Sequence, residues 1–163
     1  MTAARPQARP DLTVFATVSL LAAVLTAILR VAEPFDHGIW LVAYLLLVGF
    51  LAQLLLGRGQ AALLRVASLP PSMPRARAAQ LVLWNVGVAA VPLGVFVEAR
   101  VAVVLGSLAL VAALASFANS VRPAFVPELS SRPWLSRGYA ALLGFMVVSV
   151  LVGTALAWDA PWL

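Results

Sequence analysis

Five apolar stretches, each long enough to cross a bilayer, run through this chain, and the segments between them alternate between arginine-rich and arginine-poor. A hydrocarbon core about 30 Å thick needs roughly 20 helical residues at about 1.5 Å each. Stretches of that length fall at about 12–31, 38–56, 79–97, 101–119 and 139–158, and Arg30 is the sole charged residue within them. The runs are apolar on every face instead of alternating, so each must satisfy its backbone internally as a helix, which disfavours a β-barrel. With 63% hydrophobic and 10% charged residues and a mean hydropathy of +1.02, the chain lies outside the soluble range. The predicted fold class is an all-α integral membrane protein. Residues 11–163 form one bundle of five transmembrane helices, and residues 1–10, with two arginines, two prolines and no apolar face, form a flexible tail.

The arginines orient the bundle. Arg5 and Arg9 precede the first span; Arg58, Arg65, Arg75 and Arg77 lie between the second and third; Arg122, Arg132 and Arg137 lie between the fourth and fifth. The positive-inside rule makes that side cytoplasmic, giving an inside amino terminus and an outside carboxy terminus. The opposite side holds Arg30 and Arg100 with Glu33, Asp36, Glu98 and Asp159, and is net acidic. Reading the first span as a cleaved signal peptide fits less well, because its apolar run exceeds the usual 7–15 residues and Arg30 stands where small residues precede a cleavage site. Aromatic placement agrees: Trp40, Trp158 and Trp162 fall at the outer interface, and Trp84, Trp134 and Tyr139 near the inner one. The localisation expected is multi-pass, in a bacterial inner membrane.

The basic residues are dispersed over loops, so the net charge of +5 marks topology beside an anionic leaflet and not a nucleic-acid partner. In the loop after the second span, Arg58–Leu69 is expected to form a short interfacial helix, with Leu63, Leu64 and Val66 toward lipid, until Pro70, Pro71 and Pro74 stop it. The short outer loops pair the first helix with the second and the third with the fourth as antiparallel hairpins.

Three constellations could carry function. Glu33, Asp36 and His37 fall together at the outer mouth of the second helix, where a neutral imidazole and nearby carboxylates could bind a metal, or His37 a haem. The plainer reading is that Asp36 caps the second helix while Glu33 and His37 are solvated. Gln53 and Asn85 lie at roughly matched depth in the second and third spans, and unpaired amides in hydrocarbon are costly, so they are expected to pair with each other, a backbone carbonyl or water. In the third span, Pro92 is expected to kink the helix while Gly87 and Gly94 permit close approach by a neighbour or a ligand. Small residues four apart, such as Ala102 and Gly106, Ala140 and Gly144, and Ser149 and Gly153, read as packing faces on the last two helices.

Catalysis is disfavoured. No metalloprotease helix, nucleophile elbow or phosphate loop occurs, no cysteine is present, and the spans carry no histidine, lysine or carboxylate to serve as a base or a coupling acid. The functional expectation is a non-enzymatic membrane protein acting as an accessory or assembly subunit of a larger membrane complex, with a membrane-protein partner or a second copy of itself. The alternative is a cofactor-binding or permeation protein, with His37 at the entrance of a cavity reaching Tyr44, Asn85 and Gln53. The sequence leaves the cofactor unspecified.

Overall fold

A computed structural model describes residues 12–32, 37–70, 74–126 and 133–159. Among them there are no strands, and five helices are long and apolar enough to cross a membrane. They are α1 (Leu12–Ala32), α2 (Gly38–Val66), α3 (Pro74–Phe96), α4 (Arg100–Val121, extended by a 3-10 turn over Arg122–Phe125) and α5 (Pro133–Asp159). The protein is therefore an all-helical, multi-pass membrane protein.

The apolar segments expected from sequence all appear, but α2 runs further than expected. It continues unbroken through Arg58 to Val66, so the segment expected as a separate interfacial helix is the end of a 29-residue span. Leu63 and Leu64, expected to face lipid, are buried in the core. The physical reason lies at Gly59, against which the Tyr139 ring of α5 packs so closely that a Cβ would stand 2.6 Å from Tyr139 Cδ2. The Tyr139 hydroxyl donates to the Leu56 carbonyl at 3.2 Å. Gly59 thus serves a contact with α5. The helix then stops at Ser68, which takes a left-handed φ of 53°, with Ser68 N donating to Arg65 O and Leu69 N to Leu64 O, the bonding pattern of a Schellman close.

α2 is also wound unevenly. Gly38–Tyr44 and Gln53–Val66 are α-helical, whereas Leu45–Ala52 between them is π-helical. Gly49, within the π segment, lets α1 approach: a Cβ there would lie 2.8 Å from Ser19 Cβ. Ala16, Ser19 and Ala23, spaced on one face of α1, are its buried residues. Its exposed side chains include large hydrophobics suited to lipid, among them Val18, Leu21, Leu25 and Ile28.

α3 and α4 form the tightest pair. Gly87 faces Leu110 and the Gly106 carbonyl, Gly94 faces the Val103 backbone, and Gly106 in turn faces Ala90 and Val91. The turn between them closes by the same device as the end of α2: Glu98 takes a φ of 53°, Glu98 N donates to Val95 O and Ala99 N to Gly94 O. α4 carries a buried stripe of Val103, Leu110, Leu114, Phe117 and Val121 and packs against α2, α3 and α5, which makes it the centre of the bundle. Trp84, expected as an interfacial anchor, is 1% exposed and meets Phe117 edge-to-face at 6.3 Å. Its position well inside α3 places it in the core instead of at a helix end.

Candidate functional site: a cleft between the second and last helices

α5 packs on α2 mainly over the Gln53–Val66 stretch, where Tyr139 meets Gly59 and Leu56, and otherwise lies against α4. Toward the His37 end, α2 and α5 part. The space between them, backed by α3 and α4, is a cleft of about 690 Å³. One wall is the π segment with the α-helical turns before it, including Trp40, Tyr44 and Leu51; α5 supplies Leu142, Phe145 and Met146. Trp84 and Val91 of α3 and Leu110 of α4 form the back. Along α5 the cleft runs from Leu142 to Thr154, on the order of 18 Å at about 1.5 Å per residue.

His37 stands at the mouth. Its φ of 64° is left-handed, a conformation that costs a residue with a Cβ, and its carbonyl accepts the first bond of α2 from Leu41 N at 2.8 Å. His37 itself occupies the N-cap position, with no side-chain cap bond. Its ring meets Phe96 of α3 edge-on at 6.3 Å. Beside it, Trp40 and Tyr44 stack at 5.3 Å on one face of α2. Arg30 lies over Gly38, where a Cβ would be 2.7 Å from Arg30 Cδ, so the glycine lets the arginine fold across the start of α2.

Polar groups in the cleft divide into committed and uncommitted donors. Ser149 donates to the Phe145 carbonyl and Thr154 to the Val150 carbonyl, each at 2.8 Å within α5. The Tyr44 hydroxyl and Trp84 Nε1 are buried and have no hydrogen-bond partner. No arginine, aspartate or glutamate is among the described residues that line the cleft.

Of the cavity residues expected from sequence, His37 and Tyr44 line this site, whereas Asn85 and Gln53 are not among its lining. Glu33 and Asp36, expected as companions of His37 in a metal site, and Asp36 as a cap, lie outside the described residues. No cluster of three or more potential metal ligands occurs among the described residues. Gln53 and Asn85 do not pair. Asn85 Nδ2 donates to the Leu81 carbonyl of its own helix at 2.8 Å, and the Gln53 amide, fully buried, has no hydrogen-bond partner on either atom. Gly87 and Gly94 accommodate α4 and not a ligand. Pro92, buried, sits inside α3, which remains helical to Phe96.

Sequence reasoning missed Gln80. Its Nε2 donates to Ser120 Oγ at 2.8 Å and to the Ser116 carbonyl at 3.1 Å, tying α3 to α4, while Ser120 Oγ donates to Ser116 O at 2.9 Å. The signal that could have found it is depth: Gln80 starts one span and Ser116 and Ser120 end its hairpin partner, so antiparallel pairing brings them level. Comparison with protein-family models, with curated proteins and with solved structures found no match.

Proposed function

We propose that this chain is a non-enzymatic membrane protein that holds a small, predominantly apolar molecule within the bilayer, in the cleft between α2 and α5. The observation that carries this reading is the cleft itself: about 690 Å³, inside the range of roughly 300–1,000 Å³ common to small-molecule sites, with aromatic and aliphatic walls and few polar groups. Among the described residues its lining offers one imidazole and a few hydroxyls and no carboxylate or guanidinium, a set suited to holding a ligand and not to activating a nucleophile. The arginine distribution supports an orientation with the amino terminus inside and the His37 mouth on the outer side of a bacterial inner membrane.

A matched pair of glycines tests the reading. Gly153 lines the cleft, Gly144 is on the same helix outside its lining, and a side chain at either meets nothing within 4 Å. Gly153→Phe adds a ring to the cleft lining at a position where a Cβ meets no neighbour, and Gly144→Phe serves as the control. The molecules extracted with purified protein are quantified by mass spectrometry; a species retained by wild type and Gly144→Phe but reduced at least about tenfold in Gly153→Phe is expected. An identical profile in all three proteins overturns the reading.

The open faces at Gly138 and Gly144 favour a second reading, an accessory subunit whose partner helix packs on α5. In that case Gly144→Phe, and not Gly153→Phe, releases a stoichiometric partner chain.

A further inference from the structure

We infer that the molecule held in the cleft is a neutral, chain-bearing compound carrying hydrogen-bond acceptor oxygen, as an ester does, and that the Tyr44 hydroxyl and the Trp84 indole N–H are donors that recognise it. The inference rests on the cleft reading above and adds the chemistry of the occupant.

Two unpaired donors point to the occupant's polar group. An indole N–H only donates, and a phenol in a hydrocarbon setting needs an acceptor for its proton. Both atoms are buried, and neither has a partner. Leaving such donors unpaired is costly, more so where no water competes. Their rings are held by apolar contacts, Tyr44 stacked on Trp40 and Trp84 set edge-on to Phe117. Both rings line the same cleft. The other hydroxyls on α5 that line it are already committed to the backbone of their own helix. Ser107 of α4, the remaining lining hydroxyl, can donate or accept, so the donor-only indole tips the balance of the cleft toward donors, and an acceptor-bearing ligand complements it.

Charge is excluded by the walls. No basic or acidic residue is among the described lining apart from His37 at the mouth, so an ion drawn deep into the cleft would be desolvated without a counter-charge. Shape selects a chain, because the cleft is elongated along α5 and its walls between Leu142 and Val150 are mostly apolar. Both donor atoms lie beneath the surface of the wall, so the acceptor reaches them only as neighbouring side chains part. Binding is then coupled to a local rearrangement around Tyr44 and Trp84.

The test uses full-length protein in lipid nanodiscs and three probes of equal chain length: methyl hexadecanoate, hexadecane and hexadecanoate. Binding is read by native mass spectrometry and by tryptophan emission. Wild type is expected to prefer the ester over the hydrocarbon by about tenfold, the factor given by one net hydrogen bond of about 1.4 kcal/mol. Tyr44→Phe, which keeps the ring and removes the donor, should lose most of that preference, leave hexadecane binding within about twofold, and raise the Tm of the ligand-free protein. Trp84→Phe should also narrow the preference. A merely structural role for Tyr44 would lower the Tm and weaken all probes together. An ester preference that survives both substitutions, or tighter binding of the anion than of the ester, overturns the inference while the cleft reading stands, provided Gly153→Phe still abolishes binding. Failure of every probe to respond to Gly153→Phe overturns the cleft reading and the inference with it.

Discussion

Replacing Gly87 and Gly144 by alanine makes the same chemical change at two places on the bundle, and the structure assigns them opposite outcomes. At Gly87 an added Cβ would lie 2.6 Å from Leu110 Cγ, 2.9 Å from Leu110 Cδ2 and 2.8 Å from the Gly106 carbonyl oxygen. Carbon atoms in contact sit about 3.5–4.0 Å apart, so the helices must part by roughly 1 Å. Leu110 is 2% exposed and has no room to swing away, and the Gly106 oxygen is backbone. α4 must therefore move as a unit, disturbing the contacts of Gly94 with Val103 and of Gly106 with Val91. Overpacking of this kind costs about 1–3 kcal/mol. At Gly144 nothing lies within 4 Å, and alanine gains up to about 1 kcal/mol of helix propensity. That propensity gain enters both variants and cancels in the comparison, leaving the clash alone: Gly87→Ala should be about 1–3 kcal/mol less stable than Gly144→Ala. Reversible unfolding in mixed micelles, followed by tryptophan emission, measures the gap. Equal stability of the two variants would refute the close approach of α3 and α4.

Gln53→Leu should hold or raise stability, since both amide atoms are buried without a partner, and Asn85→Leu should cost less than about 1 kcal/mol. The double variant should be additive within about 0.5 kcal/mol by the same unfolding assay, and a larger coupling would mean that the two amides meet. At His37 the left-handed φ of 64° predicts that His37→Gly raises the Tm and His37→Val lowers it, because a β-branched residue tolerates that conformation least. Any other order of the three proteins would sink the strain argument.

The five spans were legible because unbroken apolarity over about 20 residues matches the thickness of a bilayer and exceeds what a soluble core helix needs. What composition cannot show is where a helix ends once charged side chains can reach past the apolar core. Arg58 reads as the edge of the second span, yet its neighbour Gly59 is fixed by Tyr139, a residue 80 positions away in the chain. The polar pairing failed for a related reason. Matched depth is necessary for Gln53 and Asn85 to meet, but facing direction decides it, and the π segment of α2 alters the facing of everything on either side. Gln80 was hidden by its place at a span boundary, where an amide reads as solvated. Gly87 and Gly94 were recognised as sites of close approach, and only the packed bundle shows that the neighbour is α4. The cleft was partly foreseen from His37 and Tyr44, whereas α5, its other wall, carries no polar signal strong enough to announce it.

The winding of α2 gives this bundle slack. A π segment bonds each amide to the fifth carbonyl before it, so it holds more residues in a given height than an α-helix does. Tyr139 fixes the far end of α2 at Leu56 and Gly59, while His37, Trp40 and Tyr44 stand beyond the π segment. Taking up the slack in Leu45–Ala52 therefore turns the aromatic wall about the helix axis, like the free end of a screw whose other end is clamped. A change between π and α winding there would alter how Trp40 and Tyr44 face the cleft while Tyr139 keeps its hold on Leu56 and Gly59.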